Sequence, residues 1–495
     1  MSIPSQLNRS LGLRIAIIVV MGNIIGSGVY KKVAPMAAEL HSPGWVLICW
    51  LLGGIITLMG ALCNAEIASM LADTGGEYAY YKKIYGRFFS FLYGWSNFAA
   101  IKTAAVAGIA YVFAQSLHSI VQLPPLLASW ADINIAGVFY PFAGFNVKLA
   151  AIVLIALLTW INTTGLKTGA GLSTVLMLLV LAGITIIVVS GLSSQQASLP
   201  SVFSLETSNA KPVTMSAVFT AMLAAFWAYE GWNSVGFLGG EIKNPHRNVP
   251  LSITIGLLLV ITLYFLVNMT YLAVLSTPDM EQVYAASNSI AAVEAVKVFA
   301  GSSGVFLISL LILVTTLGCT HATILSNART YYAMATERVF FSKVAKLNSA
   351  KVPGNALWFQ CVWACLLVLS GTFDQLTDML IFAAFIYYGA TTLGVFILRK
   401  KMPDAPRPYK VWGYPVVPAL FILFCILLVS NTLIERPREA GIGCCRVQVA
   451  GHRLQGYKVV KFACDLTPLR SVPTATLSNF QIISFSNYLP NIRSK

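Results

Sequence analysis

Residues 21–30 read Met21-Gly22-Asn23-Ile24-Ile25-Gly26-Ser27-Gly28-Val29-Tyr30, in the middle of the first long apolar stretch of the chain. Each glycine inside a helix costs about 1 kcal/mol relative to alanine, so three within this short span favour unwinding. Unwound backbone at membrane depth leaves N–H and C=O groups that only protein or a watery cavity can satisfy. The stretch therefore predicts a helix broken in mid-membrane beside a binding site.

The sixth apolar stretch has a similar interruption, which reads Phe226-Trp227-Ala228-Tyr229-Glu230-Gly231-Trp232-Asn233. Broken segments at matching positions of two halves are typical of inverted repeats that share one site at the midplane. The glycines could instead serve tight helix packing of the small-xxx-small kind. That alternative explains one segment alone better than it explains the matched pair.

Eleven apolar stretches are candidate spanning helices, since about 18 apolar residues cross a hydrocarbon core about 30 Å thick. The 495 residues are 57% hydrophobic and 10% charged, against about 25% charged in soluble proteins. No small-residue cleavage site follows Arg9 and Arg14, so we expect no cleaved signal peptide and a cytoplasmic N-terminus. We predict an all-α multi-pass membrane protein with spans at about 11–36, 44–70, 88–118, 147–163, 171–191, 213–239, 250–275, 301–328, 356–371, 376–398 and 414–434.

The net charge of +15 is explained by basic residues concentrated on the cytoplasmic side of the predicted spans. With the N-terminus inside, 18 of the 33 Lys and Arg fall in or beside cytoplasmic segments and 5 fall outside. Lys102 lies within a helix, and 9 follow residue 434. This distribution obeys the positive-inside rule and indicates lipid rather than nucleic acid as the partner.

Neither a metal site nor an enzyme is indicated. Six of the nine cysteines lie in apolar helices, without the partner histidines of a metal site, and are expected to be small buried hydrophobic residues. Glu230 has no second membrane carboxylate nearby in the sequence, so a paired-carboxylate catalyst is not expected. We therefore expect no metal, no cofactor and no enzymatic activity.

Several motifs together resemble the amino acid, polyamine and organocation transporter superfamily, in the branch of amino acid permeases and L-type amino acid transporters. They recur in the family's order over residues about 10 to 440, and each alone is weak. The motifs are Gly22 to Tyr30, Ala65-Glu66 with Gly75-Gly76-Glu77-Tyr78, Phe226 to Asn233, Glu241 to Pro250, and Ser326 to Ala335.

This resemblance implies a LeuT-like fold with two inverted five-helix repeats, at about 11–191 and 213–398, followed by an eleventh helix. It also implies secondary active transport of free α-amino acids, by uptake or exchange, through alternating access in the cell (inner) membrane. A polyamine or organic cation transporter and a transport-inactive amino acid sensor are the alternatives.

An α-amino acid needs donors for its carboxylate and acceptors for its ammonium group. Backbone N–H groups opening the second half of helix 1 would donate to the carboxylate, helped by the positive helix end. Carbonyls left free at the two breaks would accept from the ammonium group. We therefore predict substrate contacts at Asn23, Ile24, Ile25, Gly26, Ser27, Gly28, Lys102, Phe226, Trp227, Ala228, Tyr229 and Glu230.

Some of these residues have simpler interpretations. The hydroxyl of Ser27 could satisfy its own helix turn. By resemblance Trp227 is the gate that closes over the substrate, although tryptophan in an apolar segment often only packs. Tyr264 and Asn268 lie one turn apart on the seventh segment, and for both we favour bonds to neighbouring helices over a role in the site.

Lys102 and Glu230 are charges deep in the membrane at similar depth, where ionisable groups usually face a cavity or pair with each other. We predict that they approach each other beside the pocket and influence which substrates are accepted. In the alternative, Lys102 extends its side chain to the membrane interface.

The coupling ion, H⁺ or Na⁺, stays open. Many L-type relatives carry a lysine in helix 5 where related transporters bind sodium, and the matching position here is about Val180. His321 and Cys319 are candidates for coupling, although a lone histidine is more often satisfied locally.

Residues 436–495 form an atypical tail that does not resemble a membrane segment. The family would continue into a twelfth helix, but 444–495 contain no apolar run of spanning length. We favour an out-of-frame translation after about Gly443 over a genuine soluble extension.

Overall fold

A computed structural model describes residues 12–71, 76–134, 140–164, 169–209, 211–237, 242–286, 289–349, 352–370 and 373–435. These residues are predominantly helical, and none of them lies in a β-strand. The tail predicted for 436–495 lies outside the described residues, as do Gly75 and the Gly239 to Glu241 part of the second connection.

The eleven predicted stretches all contain helix. The first consists of α1a (Leu13–Ile24) and, after a break, α1b (Gly28–Lys31), which continues at Val33–Leu40. The sixth consists of α6a (Met215–Tyr229) and α6b (Ser234–Phe237). The others are α2 (Pro43–Met70), α3 (Arg87–Val121), α4 (Phe145–Thr164), α5 (Gly169–Leu192), α7 (Pro245–Val274), α8 (Ala291–Thr336), α9 (Gly354–Ser370), α10 (Phe373–Lys401) and α11 (Val416–Glu435).

Eight of the described helices are long and apolar enough to cross a membrane. The three remaining stretches are the two broken ones and α9, which has 17 residues. The predicted all-α multi-pass fold with discontinuous helices 1 and 6 is thus confirmed. In α8 the chain bends at Gly301, whose φ of +60° is a conformation that glycine adopts without steric cost. The helical turns before Gly301 are therefore separate from the apolar span that follows it.

Two of the shorter described helices, of eight and nine residues, lie between the long ones. Glu77–Ile84 connects α2 to α3, and Thr277–Ala285 follows α7 and packs near α1b. The second begins with a capping box in which the Ser276 hydroxyl bonds the Asp279 N–H and the Asp279 carboxylate returns a bond to the Ser276 N–H.

Candidate functional site

The break in helix 1 is an extended turn. The N–H of Ile25 donates to Met21 O at 2.7 Å, and Ile25 then leaves the helix with ψ of 95°. Among the described residues, the N–H groups of Gly26, Ser27 and Gly28 donate to no backbone carbonyl. The break therefore presents three successive backbone donors beside the N-terminus of α1b.

The break in helix 6 follows Tyr229. Glu230 is extended, with ψ of 145°, and Gly231 takes φ of +110°, a conformation that glycine adopts without steric cost. The chain then turns into α6b at Ser234. The side chain of Glu230 is thereby set at the break between the two helical segments.

The two breaks pack directly against each other. A β-carbon on Gly28 would overlap the backbone of Ala228, and one on Gly231 would overlap the carbonyl of Asn23. Glycine is thus required at both positions for the two backbone segments to approach each other. The glycines that unwind the helices also let the breaks meet, so packing and unwinding are not alternatives here.

Tyr264 on α7 joins the two breaks. Its hydroxyl lies 3.0 Å from the carbonyl oxygens of both Ile24 and Ala228, each freed by a helix end. The expected bond to neighbouring helices is thus found for Tyr264, which does not line the cavity itself. Asn268 does not bond a neighbouring helix as expected, because its amide donates to Tyr264 O of its own helix at 2.7 Å. Buried tyrosine needs a hydrogen-bond partner, and a break supplies unpaired carbonyls, which is the signal that could have identified Tyr264.

A cavity lies at the two breaks, lined by residues of both broken helices. Eight of the twelve predicted contact residues line it, namely Asn23, Ile24, Gly26, Ser27, Gly28, Lys102, Trp227 and Glu230.

The other four predicted residues lie away from the cavity lining. The Phe226 ring packs on Phe385 with centroids 4.4 Å apart, and the Tyr229 hydroxyl donates to Trp50 O at 3.1 Å. Ala228 packs against Gly28, and Ile25 is buried in the turn itself.

One face of α8 supplies polar lining that the sequence interpretation missed, apart from Cys319. Cys319, Thr323, Ser326 and Asn327 recur at helical spacing and all face the cavity. The spacing was visible in the sequence, and Ser326 stands in a quoted motif, but serine and threonine in a helix often bond a carbonyl of their own helix, as Thr323 and Ser326 do here. Ala105, Ile109, Gly231 and Ser234 complete the lining.

Two buried polar groups of the lining have no hydrogen-bond partner among the described residues. They are the Ser27 hydroxyl and the side-chain amide nitrogen of Asn327. Ser27 thus does not satisfy its own turn. An unpaired buried polar group costs about 1–3 kcal/mol, so both are placed to gain from a polar ligand.

The predicted approach of Lys102 to Glu230 is confirmed. Lys102 Nζ lies 2.9 Å from Glu230 Oε1, and the two side chains are 7% and 9% exposed. The Tyr388 hydroxyl donates to the same carboxylate at 2.7 Å, and Lys102 Nζ lies 3.4 Å from Asn233 Oδ1. Lys102 is therefore held beside the cavity and does not extend to an interface.

The cavity lining differs in burial, with Asn23, Glu230 and Thr323 as its half-buried members. Every residue from Ile24 to Ala34, by contrast, is buried. The described residues contain no cluster of His, Cys, Asp or Glu suited to a metal ion.

Comparison with known proteins gives one family. The amino acid permease family model matches residues 11–441. The serine/threonine exchanger SteT of Bacillus subtilis is 32% identical over 439 residues, covering 88% of this chain and 94% of that protein. The human b(0,+)-type amino acid transporter 1 is 27% identical over 88% and 84% of the two chains. The human large neutral amino acids transporter small subunit 2 is 29% identical over 88% and 78%.

The two broken helices meet at a cavity with polar lining, and the family match spans nearly all of the described chain. The chain belongs to the amino acid permease family and is an amino acid transporter, not an enzyme.

Proposed function

We propose that the cavity at the two breaks is the substrate site and that it carries small neutral amino acids by alternating access, in uptake or exchange. The substrate carboxylate accepts from the N–H groups of Gly26, Ser27 and Gly28, at the positive end of α1b. The ammonium group donates to the carbonyls of Asn23 and Ile25 at the break of helix 1. Trp227 closes over the bound substrate.

The observation that carries this proposal is that the N–H groups of Ser27 and Gly28 have no backbone partner and belong to residues that line the cavity at a helix N-terminus. The N–H of Gly26 beside them faces the Tyr264 hydroxyl. A carboxylate is the ligand that such donors favour. Tyr264 occupies one carbonyl from each break, so the remaining carbonyls of the turn are the acceptors available to an ammonium group.

Small and neutral side chains suit the rest of the lining. Thr323, Ser326 and Asn327 are short and polar, and the unpaired amide of Asn327 can bond a substrate hydroxyl. Lys102 neutralises Glu230, so the carboxylate of the described lining is already paired. A polyamine, which needs unpaired carboxylates, fits this lining less well. The name of one relative, a serine/threonine exchanger, agrees with a small hydroxylated substrate.

The orientation proposed is that of the positive-inside rule, with the N-terminus cytoplasmic in the cell membrane. In that orientation the half-buried Asn23 lies on the cytoplasmic side of the break, and the buried stretch Ile24 to Ala34 lies on its outer side. The proposed inverted repeats are residues 11–191 and 213–398, and each repeat begins with its broken helix.

Counter-flow in proteoliposomes tests the proposal. Vesicles preloaded with unlabelled serine should accumulate labelled serine, threonine and alanine, with weaker accumulation of lysine, glutamate and putrescine. Ser27→Ala and Asn327→Ala should raise the half-saturation concentration for serine more than for alanine. Preference for putrescine would overturn the proposal in favour of a polyamine transporter. Saturable binding without flux of any substrate would favour a sensor.

A further inference from the structure

Glu77 is a buried carboxylate on the connection between α2 and α3, outside the spanning helices. It opens the short helix Glu77–Ile84 and is 2% exposed. It does not line the cavity, and the proposed function makes no use of it. A carboxylate with so little contact with water must be compensated by its neighbours or take up a proton.

Three neutral groups donate to the Glu77 carboxylate. The Asn64 amide bonds Oε1 at 3.1 Å, the Asn233 amide bonds Oε2 at 3.0 Å, and the Tyr93 hydroxyl also bonds Oε2. All three arrive as donors, which is the arrangement that an ionised carboxylate needs. A tyrosine hydroxyl can also accept a hydrogen bond. The Tyr93 hydroxyl can therefore rotate and accept a hydrogen bond from the O–H of a protonated Glu77.

Asn233 connects Glu77 to the substrate cavity. Its Nδ2 donates to Glu77, while its Oδ1 lies 3.4 Å from Lys102 Nζ, which pairs with Glu230. This buried cluster holds two carboxylates and one ammonium group. When both carboxylates are ionised, the cluster carries one uncompensated negative charge immediately beyond the Lys102–Glu230 pair.

The surroundings of Glu77 act on its charge in opposite directions. Burial raises the pKa of Glu77, and the negative charge of Glu230 raises it further, whereas the Tyr93 bond, the Lys102 charge and the Asn233 bond lower it. Tyr81 and Tyr388 also face it electrostatically. On its own helix, Lys82 pairs with Glu337 at 2.8 Å and Tyr78 bonds the same carboxylate, away from Glu77.

We propose that Glu77 is a proton-binding site, linked through Asn233 and Lys102 to the substrate cavity, so that substrate binding and proton release are coupled. This inference rests on the proposed function. The ammonium group of the bound zwitterion faces the Lys102–Glu230 pair. Its positive charge compensates the charge of ionised Glu77, as the bound proton does in the empty protein. The O–H bond of Glu77 breaks as substrate binds, the proton passes to water, and the carboxylate keeps the electron pair.

The sign of the coupling follows from linkage. Since substrate favours ionised Glu77, ionised Glu77 favours substrate to the same extent. Affinity is therefore high above the pKa of Glu77 in the empty protein and falls as the pH falls through it. Glutamine at this position cannot ionise. The Glu77→Gln variant therefore stays at every pH in the neutral state that Glu77 has at low pH.

The test measures serine binding to the purified full chain by tryptophan fluorescence between pH 5.5 and 8.5. The native protein should lose affinity by about threefold or more on acidification, since one charge acts across a partly polar protein interior. Glu77→Gln should bind at alkaline pH as weakly as the native protein does in acid, with a flat profile. Glu77→Asp should restore the slope, and Glu337→Gln, on the same side of the protein, should leave the profile unchanged.

Proton release gives a second readout. Adding serine to weakly buffered native protein should release protons, detected with a pH indicator dye, and Glu77→Gln should release none. A native profile that is flat, or a slope kept by Glu77→Gln, would overturn the inference while serine flux still supported the proposed function. Absence of serine binding and flux in the native protein would instead overturn the proposed function. Binding that depends on Na⁺ at constant pH, with the same slope in Glu77→Gln, would identify sodium in place of the proton.

Discussion

Lys102 Nζ on α3 lies 2.9 Å from Glu230 Oε1 at the break of helix 6, and both side chains are more than nine-tenths buried. The partners come from different helices, 128 positions apart in the chain. Breaking a buried ion pair by removing one partner is costly, because the remaining charge loses its compensation. The pair therefore fixes the charge that a substrate meets at this side of the cavity.

Lys102→Gln removes the positive partner and leaves Glu230 facing the cavity. We expect a shift in selectivity from neutral toward cationic amino acids, with at least about tenfold weaker competition by serine, since an uncompensated buried charge is worth several kcal/mol. Competition against labelled serine with a panel of neutral, acidic and basic amino acids measures this shift. Lys83→Gln, at an exposed position, is the matched control. Unchanged selectivity and pH dependence would show that the pair has no influence on substrate choice.

Gly28→Ala tests the contact between the two breaks. Its β-carbon would overlap the backbone of Ala228, which cannot move aside as a flexible side chain can. We expect transport to fall by about tenfold or more, because a displacement near 1 Å is enough to disrupt a positioned site. Gly318→Ala on α8 is the control, since a β-carbon there meets only Leu176 at 3.5 Å. Equal flux in both variants, at matched membrane levels, would contradict the close approach.

The breaks could be predicted from the sequence because glycine acts locally on helix stability, and the length of an apolar run identifies a span without knowledge of its neighbours. The rotation of each helix about its axis could not. Phe226 and Tyr229 stand next to the break but turn toward Phe385 and Trp50, because those contacts form only when α2 and α10 are in place. Ala105 and Ile109 face the cavity for the same reason.

The charge cluster shows a second limit of sequence interpretation. Lys102 and Glu230 were identifiable because charges inside apolar runs are rare. Glu77 stands in a polar connection, where a carboxylate is ordinary, and its burial depends on Asn64, Tyr93 and Asn233 from three other elements. Its isolation from water is a tertiary property without a local sequence signal.

Trp227→Ala tests the proposed gate. Trp227 is 5% exposed and lines the cavity at the end of α6a. We expect substrate to dissociate faster, so the half-saturation concentration for serine rises by about tenfold while Trp227→Phe gives a smaller rise, because an aromatic face still covers the site. Trp160→Ala, at a residue 56% exposed on α4, should leave transport unchanged. If Trp227→Ala lowers only the amount of folded protein and not the affinity, the tryptophan is a packing residue.

Tyr264→Phe removes the hydroxyl that lies 3.0 Å from the carbonyls of Ile24 and Ala228. Each carbonyl sits at a helix end without its helical partner, so the loss should destabilise the protein by about 1–3 kcal/mol. We expect a lower melting temperature and slower exchange, since the hydroxyl holds the two breaks in register. Tyr271→Phe is a matched control, because the buried Tyr271 hydroxyl on the same helix has no partner among the described residues. If both variants melt alike, the Tyr264 hydroxyl does not join the breaks; if only Tyr264→Phe melts early, it does.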